Sequence, residues 1–534
     1  NQAEEIGLIK IDLLGLKTLS VINTAVNQIK KLHGVDIDLL GIDMEDPAVY
    51  NDLSNGFTKG VFQAEAAPYT NLLTRMGVDN FGQLVASNAL VRPGAMNTVG
   101  GDYIARKQGR ASVPRVHEIY DRITQETYGL PIYQEQVMLL CNELAGMSWS
   151  DADKIRKIIG KKKDVSEFEQ YKAKFVEGAS KNINPKMAEK LWHDFEAHSN
   201  YSFNKSHAVA YSTLSYWCAW LKHYYPIEFM FAVLSNERDK DSRTDYLIEA
   251  KRLGIKILLP HVNRSEAGFS IQDNAIVFGL SDVKYLSDKL SPRLLAMGPF
   301  KSFAELREKA LQKGTGINSR AIDSLNMIGA AEFPDNPLTG NESDHFYEYL
   351  GIPNFTSDAI TPEIEKSISK LQDFDEEGNF VYYVMVKSIK RGKGWARVEI
   401  VDSTGSAGVF HNENTQIVPG KMYLMLVANN RVARYIDAED LKNVDNDPFV
   451  RYLSVKEINI PHDRKVVIAF NSRKTKAGKH MASVTLSNKD KELYTALIFP
   501  KQYPRALGKL REGQVVHVEM KRMDDDTLFI NKIN

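Results

Sequence analysis

The stretch Ile9-Lys10-Ile11-Asp12-Leu13-Leu14-Gly15-Leu16 has the pattern of a single β-strand followed by a turn. Its apolar residues alternate with Lys10 and Asp12, which is the period of a half-buried strand that presents charged side chains on its other face. Gly15 ends the alternation, and a helical period begins at Leu16. The pattern predicts a strand that offers a cation and a carboxylate, followed directly by a helix.

A second polar cluster, Tyr201-Ser202-Phe203-Asn204-Lys205-Ser206-His207-Ala208, precedes an aromatic-rich apolar segment that extends to Phe231. From about Pro47 to Ser235 the apolar spacing is mostly helical. A helix that is apolar on most sides is typical of a buried core helix rather than of a cofactor site. We therefore expect the polar cluster to lie at the start of a buried helix.

The bulk composition is that of an ordinary globular protein, and 534 residues are too many for one core. Net charge is zero, with 68 basic and 68 acidic residues, so any nucleic-acid surface must be local. The two cysteines, Cys141 and Cys218, form no zinc or disulfide pattern, which favours a cytoplasmic location. No apolar run approaches the roughly 18 residues of a membrane span, so no membrane partner is expected.

One local basic surface is plain in the sequence. Six positive residues and no acidic residue occur between Lys154 and Lys163. Such a run is typical of a solvated helix end, where lysines favour the C-terminal dipole, and equally of a nucleic-acid surface. Charge alone leaves both alternatives open.

After about Phe374 the pattern changes from helices to short strands. Eight segments predict two similar β units, with Gly420 and Gly513 in matching turns, and this order fits two OB-folds. The predicted strands are Phe380–Val386, Gly394–Val401, Ala407–Phe410 and Lys421–Val427, then Val466–Phe470, Lys479–Leu486, Tyr494–Phe499 and Gln514–Met520. Between the helical region and these strands, the pattern predicts a hairpin at Phe269–Leu280 and helices around Ser302–Gln312 and Arg320–Met327.

Six motifs in sequential order resemble those of the C-family DNA polymerases, the alpha subunits of bacterial replicative DNA polymerase III. The six motifs are Lys10–Leu16, Gly60–Glu65, Ala89–Met96, Tyr128–Met138, Asp153–Lys163 and Phe203–Ala208. The resemblance extends to about Phe333 and returns from Lys465 to Val518. It implies a multidomain α+β protein: palm edge (1–20), helical fingers (21–235), a helix-hairpin-helix and clamp-binding segment (236–345), a linker (346–373) and OB-like domains (374–440 and 441–534).

The resemblance implies a DNA-directed DNA polymerase that extends a primer with a deoxynucleoside triphosphate and two Mg²⁺ ions. Asp12 would be a catalytic aspartate and metal ligand, although its alternative role is to cap the next helix. Two-metal catalysis needs several carboxylates around ions about 4 Å apart, and one aspartate cannot supply them. Asp36-Ile37-Asp38 looks like a paired-aspartate strand, but we interpret it as an ordinary acidic loop. The chain begins at Asn1, so the missing aspartates are expected upstream, and the chain alone is expected to be inactive.

Triphosphate binding needs cations and hydrogen-bond donors aimed at the phosphate oxygens. The resemblance implies that the fingers supply these groups, with Lys10 facing the same cleft from the palm edge. A second group of basic residues is predicted to contact DNA, although Arg92, Arg106 and Lys107 could instead make only structural salt bridges. The predicted nucleotide-binding residues are Lys10, Arg156, Lys161, Lys162, Asn204, Lys205 and His207, and the predicted DNA-binding residues are Arg92, Arg106, Lys107, Lys474, Lys476 and Lys479.

The OB-like units are predicted to bind single-stranded template through basic and aromatic turns, although OB-folds also serve as protein-binding scaffolds. The relevant turns hold Lys390, Arg391, Lys393 and Trp395 in the first unit, and Arg473, Lys474, Lys476, Lys479 and His480 in the second. In the segment before them, Lys284–Lys289 replaces the glycine-rich turn with which the family usually holds a DNA phosphate.

The implied partners are primer-template DNA, the nucleotide, the sliding clamp and other replisome subunits. For the clamp, Phe346-Tyr347-Glu348-Tyr349-Leu350 is only a loose match to a binding peptide. The alternative to a polymerase is a non-catalytic nucleic-acid-binding or scaffold protein derived from one.

Overall fold

The computed structural model describes residues 15–161, 165–198, 203–353, 360, 362–441, 447–454, 461–475, 478–523 and 527–533. The chain forms two compact units, Asn1–Glu237 and Arg238–Asn534. We call them the first and second unit. Among the described residues, no helix is both long enough and apolar enough to cross a bilayer.

The described part of the first unit is helical, as its apolar spacing predicts. Short helical turns at Leu39–Gly41, Pro93–Ala95, Met96–Gly100, Gln125–Thr127 and Leu140–Leu144 connect or extend the longer helices. The longer helices are α1 Lys17–His33, α2 Pro47–Ser54, α3 Ala67–Met76, α4 Phe81–Leu90, α5 Gly101–Lys107, α6 Glu118–Thr124, α7 Gln134–Leu139, α8 Trp149–Lys161, α9 Val165–Ala179, α10 Pro185–His198, α11 Lys205–Tyr224 and α12 Pro226–Ser235.

The aromatic-rich segment forms the centre of the first unit. It was predicted as one continuous pattern, but it folds as α11 and α12 because Pro226 cannot continue the hydrogen-bond ladder of α11. Helix α11 packs against α4 and α2, and α12 packs against α1. Buried side chains such as Tyr216 and Phe229 confirm the prediction of a core helix. The polar cluster thus begins a helix that the rest of the unit holds firmly.

A second core lies under helices α6 to α10. Phe175, Trp192 and Phe195 are fully buried there, and their rings contact one another in edge and tilted geometries. Ile155 of α8 joins the same cluster, so the apolar side of the basic helix faces inward. The basic segment that includes Arg156 is therefore mounted on a packed helix.

The second unit starts with α13 Lys240–Arg252 and a small sheet. Strands β1 Lys256–Leu258 and β2 Ser270–Gln272 both pair with β3 Ala275–Val277, the first in parallel and the second in antiparallel orientation. Asp273 and Asn274 form the hairpin turn with positive φ, as residues of this type do in two-residue hairpins. A turn at Leu280–Asp282 and helices α14 Ser291–Met297, α15 Phe303–Ala310 and α16 Ser319–Met327 follow. The hairpin and helix predictions for this segment are confirmed.

Residues 342 to 373 contain only short helical pieces in the described part: Glu342–His345, α17 Phe346–Leu350, α18 Pro362–Glu365 and Leu371–Asp373. In α17, Leu350 is buried, and Lys284 donates to the Glu348 carboxylate at 2.7 Å. The segment considered for the clamp therefore packs within its own unit.

The first β unit is a closed barrel. Its strands are β4 Asn379–Gly392, β5 Trp395–Val401, β6 Ser406–His411, β7 Met422–Ala428 and β8 Arg431–Asp437, in the order β4-β5-β6-β8-β7 with β7 returning to β4. Strand β8 was not predicted, because its residues Arg431–Asp437 alternate weakly and contain four charged or polar side chains. The mixed α+β architecture with OB-like barrels is as predicted.

The second β unit repeats this strand order. Its strands are β9 Lys465–Lys474, β10 His480–Ser487, β11 Leu493–Ile498, β12 Val515–Val516, β13 Val518–Arg522 and β14 Leu528–Ile533, with α19 Pro448–Ser454 before them and α20 Tyr503–Lys509 after β11. The sheet order is β12-β9-β10-β11-β14-β13. Strands β12 and β13 are two halves of one strand interrupted at His517, so the sheet is an interrupted version of the first barrel.

The predicted match between Gly420 and Gly513 holds at the level of single hydrogen bonds. Both glycines have positive φ, +87° and +78°. Each donates its N–H to a valine carbonyl of the first strand of its barrel at 2.7 Å, Gly420 to Val386 and Gly513 to Val467. The two β units therefore share a turn that only glycine adopts without strain.

Candidate functional site

The polar cluster is joined to a distant motif by a short backbone pairing. Phe203 donates its N–H to the Ile132 carbonyl at 3.3 Å, and Gln134 donates its N–H to the Phe203 carbonyl at 2.9 Å. Gln136 supports this segment, because its side-chain oxygen accepts from the backbone N–H groups of Ile132 and Tyr133. The motifs Tyr128–Met138 and Phe203–Ala208, separate in sequence, therefore meet in one site.

Asn204 caps the long helix α11. Its Oδ1 accepts from the His207 N–H at 2.8 Å and from the Ser206 hydroxyl at 2.6 Å. Its Nδ2 donates to Glu135 at 2.7 Å. All three bonds are internal, so in this structure Asn204 acts as a helix cap rather than as an open ligand donor.

Lys205 is held by two glutamates. Its backbone N–H donates to Glu135 at 2.9 Å, while its Nζ lies 2.7 Å from each carboxylate oxygen of Glu126. The ammonium also lies 5.6 Å from the centre of the Tyr133 ring, which is buried. Desolvation by burial raises the pKa of Tyr133 well above its usual range, so that ring stays neutral beside the cation. Neither glutamate was among the predicted site residues, although Glu135 lies within the motif Tyr128–Met138.

An aromatic row continues the site. The Phe203 ring lies 5.4 Å from His207, and His207 stacks on Tyr211 at 4.0 Å with an interplanar angle of 29°. The guanidinium of Arg92 lies over the Phe203 ring at 4.3 Å. We call Arg92, Phe203, Lys205 and His207, with Tyr211, the Phe203 cluster. Arg92, predicted for DNA, and Lys205 and His207, predicted for nucleotide, thus lie on one surface.

The exposed members of the Phe203 cluster are its polar ones. Arg92 and His207 are exposed and Lys205 is half-buried, whereas Phe203 itself is buried. Its exposed side thus presents the Arg92 guanidinium and the His207 ring, with the Lys205 ammonium half-buried beside them. This combination suits a phosphate-bearing, aromatic ligand.

The basic helix α8 packs on α7, whose second residue is Glu135. Arg156 and Lys157 both bind Asp153, Arg156 at 2.9 Å and Lys157 at 2.7 Å. Hydrogen bonds from Lys157 and Arg156 lower the pKa of the Asp153 carboxyl. Lys161 is the last residue of α8, and the structure describes its backbone but not its side chain. Lys162 lies outside the described residues.

Arg106 and Lys107 make internal bonds. Arg106 donates to the Tyr128 carbonyl at 3.0 Å, and Lys107 binds the Asp79 carboxylate at 2.9 Å and the Gly77 carbonyl. The Lys107 side chain is only 10% exposed. These bonds support the alternative that Arg106 and Lys107 have a structural role. Their contact with DNA stays a prediction.

The predicted metal site cannot be assembled from the described part of the chain. Asp12 and Lys10 lie outside the described residues, and no group of three or more potential metal-binding side chains occurs among the residues that are described. Asp36 pairs with Lys30 at 2.9 Å, and Asp38 caps the turn at Leu39–Gly41. These contacts agree with the interpretation of Asp36 and Asp38 as an ordinary acidic loop.

The basic turns of the two barrels are exposed. Lys474 and Lys479 are at the β9–β10 turn, near the stacked pair His480 and Tyr503 at 5.3 Å, and Lys476 lies outside the described residues. In the first barrel, Trp395 is 38% exposed and stands against Gly392, where any added Cβ would clash with the indole. Both turns therefore combine cations with an aromatic side chain.

The segment Lys284–Lys289, expected to replace the family's glycine-rich turn, contains no glycine, and a turn with two glycines, which we call the glycine hairpin, lies between α15 and α16. The Lys284 ammonium is bound to Glu348 and lies over the Tyr285 and Tyr349 rings. Between α15 and α16, however, Gly314 and Gly316 have φ of +100° and +77°. The exposed side chains of Lys313 and Arg320 flank this hairpin. This turn reads Lys313-Gly314-Thr315-Gly316 in the sequence, and the two glycines so close together are the signal that could have predicted it.

Comparison with protein families gives two matches. Residues 18–183 match the bacterial DNA polymerase III alpha subunit finger domain, and residues 254–335 match a helix-hairpin-helix motif. The first match includes Glu126, Glu135 and Arg92, and the second includes the glycine hairpin.

Curated relatives are named DNA polymerase III subunit alpha. The chain is 39% identical to that of Aquifex aeolicus over 62% of its own length and 29% of the relative, and 38% identical to that of Thermus aquaticus over 62% and 28%. It is 30% identical to that of Bacillus subtilis over 96% of its own length and 43% of the relative. The chain therefore spans less than half the length of these relatives.

Proposed function

Since this chain is a relative of the bacterial DNA polymerase III alpha subunits and carries their finger domain, we propose that it serves template-directed DNA synthesis. In this proposal the Phe203 cluster binds the incoming deoxynucleoside triphosphate, and nucleotidyl transfer joins it to a primer 3′ end. The observation that carries the proposal is the convergence of Arg92, Lys205 and His207 on one surface within the fingers.

Nucleotidyl transfer requires cations placed as they are in the Phe203 cluster. Phosphoryl and nucleotidyl transfers depend mainly on positioning and on stabilising negative charge, so cations must meet the phosphates. Lys205 offers an ammonium at the start of α11, where the helix dipole also favours an anion. Arg92 offers a planar fork that suits two phosphate oxygens, and His207 offers ring nitrogens with no hydrogen-bond partner among the described residues. Arg156, Lys161 and Lys162 would extend this positive surface.

The remaining parts of the proposal rest on the family. Two Mg²⁺ ions would activate the primer hydroxyl and neutralise the leaving pyrophosphate, with Asp12 as one ligand and Lys10 beside it. The helix-hairpin-helix segment and the barrel turns would hold primer-template DNA and its single strand. A cytoplasmic site of action, the sliding clamp and further replisome subunits are proposed as its setting and partners.

Nucleotide binding is the direct test. Lys205→Ala should weaken binding of a fluorescent deoxyadenosine triphosphate about 10- to 100-fold, because one charge-assisted phosphate contact is lost. Lys186→Ala, an exposed lysine of α10, is the matched control and should bind as the parent does. Unchanged affinity in Lys205→Ala would remove the Phe203 cluster from the proposal.

Polymerisation needs a second experiment. The chain is fused behind the N-terminal part of the Bacillus subtilis relative, and primer extension is measured with Mg²⁺. Activity should be lost on Asp12→Ala and should require the fusion. Retained DNA binding without any nucleotide binding would instead favour the non-catalytic scaffold alternative.

A further inference from the structure

Glu126 is the acidic residue that contacts the ammonium of Lys205. Both of its carboxylate oxygens lie 2.7 Å from Nζ. The two side chains are 45% and 37% exposed, so water and ions reach the pair. An anion arriving at Lys205 therefore meets a cation that already has a partner.

Glu126 stands on a firmly held turn, Gln125–Thr127. Thr124 and Thr127 on either side of it are buried. The Thr127 hydroxyl donates to the Thr124 carbonyl at 3.1 Å and accepts from Gln136 at 2.8 Å. The turn thus has its own anchors, and the position of Glu126 does not depend on its contact with Lys205.

Glu135 has a different task. Its oxygens bind Asn204 Nδ2 and the Lys205 backbone N–H, so it fixes the start of α11. Glu126 binds the Lys205 side-chain ammonium. One glutamate therefore positions the backbone of the site, and the other neutralises its side-chain cation.

We propose that Glu126 is an internal counter-anion that competes with the phosphates of the nucleotide for Lys205. This inference rests on the proposed function of the Phe203 cluster. When a polyphosphate binds, the ammonium turns from Glu126 to a phosphate oxygen; when pyrophosphate leaves, the ammonium returns to Glu126. The long lysine side chain can make this change because its backbone stays anchored by Glu135.

The magnitude of the effect follows from the exposure of the pair. Exposed ion pairs contribute about 0.2–1 kcal/mol, so the competition is weak enough for a multiply charged ligand to win. Glu126→Gln should therefore tighten binding of inorganic tripolyphosphate and of deoxyadenosine triphosphate about two- to fivefold. The gain should shrink at high salt, because ions screen an exposed carboxylate.

The matched control is Glu143→Gln. Glu143 binds Arg122 in the same unit, its side chain is 31% exposed, and the change removes the same single charge. It should leave both affinities unchanged. In a Lys205→Ala background, Glu126→Gln should also have no effect, because the ammonium for which Glu126 and the phosphates compete is absent. Glu126→Asp keeps the charge and should lie between the parent and Glu126→Gln.

The kinetic readout separates competition from a structural role. In the extension-competent fusion, Glu126→Gln should lower the KM for the nucleotide and raise the inhibition by added pyrophosphate. Thermal unfolding of each variant is measured alongside. If Lys205→Ala weakens binding but Glu126→Gln does not tighten it, the inference is overturned while the proposed function stands. If Lys205→Ala binds like the parent, the Phe203 cluster is removed from the proposed function, and the inference on Glu126 fails with it.

Discussion

At the scale of single residues, the neighbouring polar side chains at the start of α11 have different roles. Asn204 was predicted to bind nucleotide, but its side chain bonds to Glu135, Ser206 and the His207 N–H inside the protein. The cap of α11 is Asn204, and the His207 ring, also predicted to bind nucleotide, lies exposed on Tyr211. A sequence motif places such residues side by side. Their bonds to Glu126 and Glu135, far away in the sequence, decide which of these side chains remain available to a ligand.

The cap supplies a prediction at this scale. Asn204→Ala should destabilise the first unit by about 1–2 kcal/mol, because the His207 N–H loses its acceptor and Glu135 loses a donor. Urea unfolding followed by circular dichroism measures this change. The variant should also weaken nucleotide binding, since Lys205 follows the cap directly.

Asn318→Ala is the control for this prediction. Asn318 caps α16 in the second unit by accepting from the Ala321 N–H at 3.0 Å. It should lose comparable stability and keep the parental nucleotide affinity. Equal affinities in both variants would separate the α11 cap from nucleotide binding.

At the scale of elements, the second unit contains a buried ion pair between α13 and the turn at Leu280–Asp282. Arg243 lies 3.2 Å from Asp282, and the two side chains are 11% and 6% exposed. Desolvation raises the pKa of Asp282 to about 6, although Arg243 opposes the shift. Burial of the carboxylate therefore costs stability at neutral pH.

The pH dependence follows with a definite sign. A carboxyl whose pKa is raised in the folded state contributes stability that is fully present below about pH 4 and is lost as pH rises through about 6. The free energy of unfolding of the parent, relative to Asp282→Asn, should therefore fall by up to about 3 kcal/mol between pH 4 and 7. Urea unfolding at several pH values measures it.

Asp288→Asn is the comparison for this element. Asp288 pairs with Arg238, and both side chains are more than 60% exposed. Its replacement should change stability by less than about 1 kcal/mol at every pH. A flat difference between the parent and Asp282→Asn over the same range would contradict the assignment to the buried carboxyl.

At the scale of the whole molecule, the two barrels lie in the second unit, and their exposed basic turns define the prediction for single-stranded DNA. Lys474→Ala with Lys479→Ala should weaken binding of an oligothymidylate and reduce the steepness of its salt dependence by about 1.4 in the log–log slope. Fluorescence anisotropy across a salt series gives both quantities. Lys501→Ala, another exposed lysine of the same barrel, should have a smaller effect if the turn is the binding surface. An unchanged slope in the double variant would favour the protein-scaffold role of these barrels.

The sequence by itself determined the architecture, because architecture depends on apolar periodicity. The period near 3.6 predicted the helical first unit, and the alternation after Phe374 with Gly420 and Gly513 predicted two related barrels. The sequence did not predict β8 or β14. Each of these strands lies between two neighbours in its sheet, and pairing with them rather than its own alternation of residues defines it as a strand. The motif order likewise indicated the similarity to DNA polymerase III alpha subunits that the finger-domain match supports.

Only the tertiary structure decided the partners. Glu126 and Lys205 are 79 residues apart, and Arg92 and Phe203 are 111 apart. Such pairs form because the buried side chains of Tyr133, Gln136 and α11 hold segments that are distant in the sequence next to one another. Periodicity reports which face of a segment is buried, whereas the ligand environment of a charge depends on segments far away along the chain.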